Sequence, residues 1–299
     1  MKSPSASDAP SWPLVLAAFA VIYLVWGSTF LAVRFAVVSI PPFLTGAARN
    51  LVAGALLVAL GVARGGTGLT FGAVRQAFVV GVLMFLVNHG SISWASQRNP
   101  SGITALLAAT IPLWIVALDW VFGARRRPSP RTGIGVALGF AGSLLLLWPS
   151  SGAPTVDPWA AAATMGGAIA WAAGTLRARR MRVSDSPLLS SGLPMLLGGL
   201  TLLMVSWASG ELTGFRPADV PARAALSLLY LIVMGSLLGF SAYIFLLRTI
   251  PAARVSTYAY VNPVVALLLG AWIGGEAVAV TTLLAAAISL AGVYVVVSE

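Results

Sequence analysis

Side chains able to carry acid–base, nucleophilic or metal chemistry are scarce in this sequence. Among 299 residues there are one histidine, no cysteine and eight carboxylates. Catalysis by proton transfer, by a nucleophile or at a bound metal needs such groups in clusters. The sequence therefore points to a protein that is not an enzyme, with no catalytic residue, metal site or cofactor. Three titratable side chains fall inside long apolar runs: Arg49, His89 and Asp119. At 1.5 Å rise per residue, Arg49 lies about 12 Å from one end of its run. There it could attract an anion or anchor a neighbouring helix through backbone carbonyls. Asp119 lies about 15 Å from Arg49 in depth and is expected to meet the Arg125–Arg127 cluster. His89 has the only side chain at mid-depth whose ordinary pKa lies near physiological pH; it is read as a polar wall group.

A second constellation is aromatic and amide. Asn88, His89, Ser91, Ser93 and Trp94 share one run, Ser236, Ser241 and Tyr243 another, and Ser256, Tyr258, Tyr260 and Asn262 a third. Tyr258 and Asn262 are four apart and share a helical face. Buried amides and hydroxyls need partners or water. Trp26, Asn88, His89, Trp171, Tyr243, Tyr258 and Asn262 are the candidate substrate-binding set, suited to a small amphiphile with an apolar side chain. The competing reading of each is interhelical hydrogen bonding and packing. Trp12, Trp148, Trp159 and Trp272 lie near run ends and read as an interfacial belt.

The elements that must position these groups follow from composition. Residues are 59% hydrophobic and 9% charged, against roughly 25% charged in a soluble domain, so lipid is the main solvent. Apolar segments fall at about 13–33, 41–63, 74–97, 101–122, 131–149, 157–176, 187–209, 222–247, 254–273 and 278–297. Runs such as 144–148 do not alternate as a barrel strand would. The expectation is an all-α integral membrane protein of ten transmembrane helices, the first of them retained and not cleaved as a signal.

With the N-terminus cytoplasmic, thirteen basic residues fall on inner connections and four (Arg34, Arg98, Arg216 and Arg223) on outer ones. Both termini are thus expected in the cytoplasm. Glu299 closes the sequence almost directly after the last run, so no regulatory tail is expected. The net charge of +10 is read as this orientation signal, not as a nucleic-acid surface. Glycines 135, 139, 142, 166, 167 and 174 are read as close helix packing.

Residues 13–149 and 157–297 look alike. They follow a cytoplasmic segment 1–12 and are joined by a linker at 150–156. Asn99–Gly102 matches Ile250–Ala253, Pro112 matches Pro263, and Trp26 matches Trp171. Five spans per half make the second half inverted relative to the first, as in secondary transporters with a site near the midplane. Pro112 and Pro263 free the carbonyls of Ala108 and Ala259 and are read as hinges that line a cavity.

The run Trp26-Gly27-Ser28-Thr29-Phe30, then Arg34, Ile40-Pro41-Pro42, Ala48-Arg49, the two proline helices and Gly274-Gly275-Glu276 resembles the EamA-type drug/metabolite transporters. The family often has an acidic residue followed by Arg after the fourth helix, where this chain reads Gly123-Ala124-Arg125. The resemblance implies a ten-helix carrier whose helices 1–4 and 6–9 surround a central cavity, with 5 and 10 outside. It favours export of amino acids or related metabolites across the bacterial inner membrane. The aromatic candidates tilt this toward neutral or aromatic amino acids, moved by alternating access. With no central carboxylate for a proton relay, weakly coupled or facilitated transport is expected. The alternatives are efflux of lipophilic cations by cation–π attraction and a passive channel. The partners implied are a small-molecule substrate and the bilayer.

Overall fold

Helix starts in this chain are marked by proline and by short polar side chains. Pro42, Pro130, Pro158 and Pro187 each take the first helical position, where the missing N–H would have no partner anyway. Ser129, Asp157 and Ser186, directly before three of them, accept hydrogen bonds from first-turn N–H groups, as Thr70 does before Phe71.

A computed structural model describes residues 11–66, 69–122, 129–146, 148, 155–181, 183–250, 252–255 and 257–298. All regular structure among them is helical. In chain order the helices are α1 Trp12–Ala36, α2 Pro42–Ala63, α3 Phe71–Ala95, α4 Ser101–Phe122, α5 Pro130–Leu145 and α6 Pro158–Arg180. Then come α7 Pro187–Ala208, α8 Ala222–Thr249, α9 Tyr258–Trp272 and α10 Val280–Val297. A separate helical turn, Ala252–Val255, precedes α9, where the sequence suggested one continuous segment. Six helices, α1–α4, α7 and α8, are long and apolar enough to cross a membrane, with 22 to 28 residues each. Helices α9 and α10 are apolar but shorter, and α6 ends in Arg177, Arg179 and Arg180. The linker at Pro149–Pro154, the Gly123–Arg125 departure, the Arg125–Arg127 cluster and Ser256 lie outside the described residues.

Close pairs are made by small residues. Along α2 and α7, a Cβ on Gly54 would sit 2.8 Å from Leu196 Cα, and one on Gly192 2.7 Å from Leu57 Cβ. Along α5 and α10, a Cβ on Gly135 would lie 2.8 Å from the Gly292 carbonyl oxygen, and one on Gly142 2.6 Å from Ser289 N. In α6, Gly167 lies against Asn88 and Gly174 against Met84 of α3, whereas Gly166 faces open space. Gly166 therefore departs from the packing expected of it. Trp12, Trp148, Trp159 and Trp272 are 66% to 84% exposed, which suits residues placed at a lipid headgroup level.

Mid-length, the helices lose regularity together. Residues 21–25 of α1, 82–89 of α3 and 231–238 of α8 are wound as π-helix. Helix α4 breaks at Ala109–Thr110 and resumes at Ile111, with Pro112 next, while α9 carries Pro263 inside it. Such π-turns are rare and concentrate at functional sites.

One end of the bundle is tied by carboxylates on helix N-termini, where backbone N–H groups lack internal partners. Glu276, after α9, accepts from Ser101 N (2.9 Å) and Ser101 Oγ (2.9 Å) at the start of α4, and pairs with Arg34 Nε of α1 at 3.2 Å. Arg34 also donates to the Asn99 carbonyl at 2.6 Å. Glu211 accepts from Phe43 N and Leu44 N at the start of α2, at 3.2 and 3.0 Å.

Candidate functional site

The irregular stretches of α3, α4, α8 and α9, with the turn of α1 that follows its own, line a cavity of about 80 Å³. Its described walls come from α1 to α4 and α6 to α9, with none from α5 or α10.

Aromatic rings form the side nearer the start of α9. Trp26 lies at the centre, edge-on to Trp171 (5.6 Å between centroids) and Tyr258 (5.2 Å) and tilted against Tyr243 (5.1 Å). Each such pair adds about 0.5–1.5 kcal/mol beyond the area it buries. The π-turn of α8 explains how Trp26 is fixed. Gly239 N–H reaches five residues back to the Met234 carbonyl, and the Gly235 carbonyl accepts the Trp26 indole N–H at 3.1 Å. Gly239 is needed beside it, because a Cβ there would strike the indole nitrogen. The Trp171 indole N–H, by contrast, is buried without a well-formed hydrogen bond among the described residues, the hydroxyls of Tyr243 and Tyr258 standing loosely about it. His89 stacks on Trp171 at 5.9 Å and 23°, with Phe85 edge-on at 5.1 Å.

The other side is polar. Thr29 lies one turn beyond Trp26, about 4.5 Å along α1. There Arg49 enters from α2, 6% exposed, and its Nε–H donates to Ser236 Oγ of α8 at 3.1 Å. That is its one hydrogen bond among the described residues. Two ion pairs are formed among those residues, Arg34–Glu276 and Arg98–Asp157, and neither involves Arg49. The guanidinium lies beside Gly235, where a Cβ would come within 3.0 Å of Nη2. Asn50, next to Arg49, donates to the Gly46 carbonyl (2.8 Å) and to His89 Nδ1 (3.1 Å), so the neutral imidazole carries its proton on Nε2.

Of the sequence candidates, Trp26, Arg49, Asn88, His89, Trp171, Tyr258, Asn262 and Pro263 line the cavity. Tyr243 stands behind the rings, with its hydroxyl on Thr175 Oγ1 at 2.9 Å. Pro112 is not on the wall, although its neighbour Ile111 is. Asn88 is buried with its amide nitrogen unpartnered. Asn262, its amide nitrogen turned toward α1, lies 3.1 Å from the Ile22 carbonyl, 3.0 Å from that of Tyr23 and 3.2 Å from that of Tyr258. It therefore satisfies the π-turn of α1 as well as facing the cavity. Asp119 does not reach this site. It lines a second cavity with Gln76, Arg177 and Arg180.

Sequence reasoning passed over Asn50, Phe85, Thr175 and Phe240. The adjoining Arg49 overshadowed Asn50, and a Phe or Thr in an apolar run carries no signal of its own.

The family model described as the EamA-like transporter family matches twice, at residues 12–148 and 158–298. An uncharacterized inner membrane transporter, YedA, of Escherichia coli (strain K12) is 35% identical over 265 residues, 88% of this chain and 84% of that one. A protein of Salmonella typhimurium named as a probable amino-acid metabolite efflux pump is 26% identical over 290 residues, 92% of this chain and 91% of that one. A crystal structure of a protein superposes with a TM-score of 0.66 at 22% identity, covering 94% of this chain and 95% of the other, and so shares the fold. The chain belongs to the EamA-like transporter family and is a multi-pass transporter of the bacterial inner membrane.

Proposed function

We propose that the protein is a carrier that exports small metabolites, neutral or aromatic amino acids among them, by alternating access. The observation that carries this reading is a mainly apolar and aromatic cavity, with a few polar groups gathered about Arg49, at the level where three helices turn π-helical and two carry proline. Substrate contacts are assigned to Trp26, Asn88, His89, Trp171, Tyr258 and Asn262, with Tyr243 holding the rings from behind.

The architecture proposed is ten spans in two inverted five-helix repeats, residues 13–149 and 157–297, with both termini cytoplasmic. Two matches to one family model, one in each half, support the repeat. The basic residues on the connections support the orientation. In this frame Glu276, Arg34 and Glu211 close the outer side. Pro112 and Pro263, with the carbonyls they free, are the hinges on which the halves rock. Transport is facilitated or weakly coupled, since no carboxylate among the described residues lines the cavity to relay protons. The efflux pump of Salmonella typhimurium supports amino acids as cargo.

The test is the purified protein in liposomes, offered the twenty amino acids with and without a pH gradient. Saturable uptake with counterflow is expected, running down a substrate gradient alone. Non-saturating flux would replace the carrier with a channel, and an absolute need for the pH gradient would reject facilitated transport.

A further inference from the structure

Resting on that carrier reading, we infer that the cavity selects its cargo by a carboxylate seated on Arg49. It carries small acids with an apolar or aromatic body whether or not they also bear an ammonium group, and it refuses compounds whose only charge is an ammonium.

Three observations lead there. Arg49 is 6% exposed and lies on the cavity wall. A guanidinium has five N–H donors and no acceptor, and one of the five is answered, by Ser236. A buried cation held this way is costly. A carboxylate is the ligand whose geometry matches the guanidinium fork.

The wall also lacks the complementary group. No Asp or Glu lines the cavity among the described residues. Glu276 and Glu211 are committed to helix starts, and Asp119 lines a different cavity. An ammonium would find ring faces, backbone carbonyls, hydroxyls and the neutral amides of Asn88 and Asn262, but no negative charge, within the field of Arg49. The two buried wall nitrogens without well-formed hydrogen bonds among the described residues, Trp171 Nε1 and Asn88 Nδ2, add donors and no negative charge.

Finally, the cavity is ordered along its length. Arg49 and Thr29 stand about one helical turn, 4.5 Å, beyond the rings of Trp26, Trp171 and Tyr258. A ligand that places a carboxylate on Arg49 through a short linker therefore lays its body among the rings. Lipophilic cations, which the ring faces alone would admit, meet Arg49 as a like charge.

The experiment compares three probes with one phenyl body: phenylalanine, 3-phenylpropanoate and 2-phenylethylamine. Binding to the purified full chain is followed by tryptophan fluorescence, and exchange is followed in liposomes. Phenylalanine and 3-phenylpropanoate are expected to bind, compete with each other and exchange, and the amine to do none of these. Arg49→Gln is expected to weaken both acids about ten-fold or more, the scale of a lost charge-assisted contact, and Arg49→Lys to restore part of it. Should Arg49→Gln fail to fold, the wild-type comparison of acid with amine still decides.

Amine binding as tight as that of the acid, exchange of phenylalanine but not of 3-phenylpropanoate, or unchanged acid affinity in a folded Arg49→Gln protein would each overturn the inference. All three leave the carrier reading standing. No saturable exchange of the probes or of any amino acid would overturn both.

Discussion

Trp26 and Trp171 stand edge-on to one another in the cavity wall, yet their indole N–H groups have different fates. Trp26 donates to the Gly235 carbonyl, and Trp171 has only loose contacts with the hydroxyls of Tyr243 and Tyr258. Trp26→Phe is expected to lower stability by about 1–3 kcal/mol, because it leaves a buried carbonyl unpaired. Trp171→Phe, which gives up only the loose contacts with Tyr243 and Tyr258, is expected to stay within about 1 kcal/mol of the parent. Thermal unfolding of both variants in detergent checks this, and equal losses would contradict the assignment. Tyr243→Phe removes the buried bond to Thr175 Oγ1 and should cost about 1 kcal/mol, while changing substrate affinity less than two-fold, since the ring stands behind the wall. Affinity measured beside the melting curve separates the two effects. Residue type alone revealed much of this site, because an Arg, a His or an Asn in an apolar run is conspicuous. It did not reveal that Tyr243 stands one layer back, nor that Asn262 spends its amide nitrogen on the α1 backbone. Both depend on how neighbouring helices rotate, which no spacing along one helix encodes.

Among the helices, hydropathy located every segment to within a few residues, because solvation by lipid acts on each span separately. The π-turns in α1, α3 and α8 left no mark in the sequence. They arise where a widened turn is answered from another helix, as Trp26 answers α8 and Asn262 answers α1. Capping by Glu276 was equally hidden, since 175 positions separate it from Ser101. Glu276→Ala is expected to destabilise the protein by about 1–3 kcal/mol through the unpaired Ser101 N–H and the lost pair with Arg34. Glu276→Gln is expected to cost less, because an amide oxygen still accepts from Ser101. A melting series of the three proteins tests the order. In the α2–α7 seam, Gly54→Ala would bring a methyl group to 2.8 Å from the Leu196 backbone. It should force the pair apart, with a loss of about 1–3 kcal/mol. An unchanged melting temperature would mean that the seam is looser than its spacing.

For the whole molecule, the sequence contains no cysteine, so single substitutions can report its orientation directly. Ala218→Cys, in the exposed α7–α8 connection, is expected to react with a membrane-impermeant maleimide added to intact cells. Asp185→Cys, between α6 and α7, should react only after the cells are opened; the reverse pattern would invert the proposed topology. The proposed sidedness rests on the count of basic residues, which the sequence displays directly and which survives any detail of packing. The proposed cargo rests instead on which charges lack partners, and that emerges only once every helix is in place. Under the proposed carrier reading, the cation in the cavity, with no acid opposite among the described residues, bears on how export is driven. A deaminated acid held on Arg49 leaves the cytoplasm as an anion, and an interior-negative membrane repels anions at about 2.3 kcal/mol per elementary charge per 100 mV. Voltage itself then becomes the engine of export for such acids, while zwitterions cross indifferent to it.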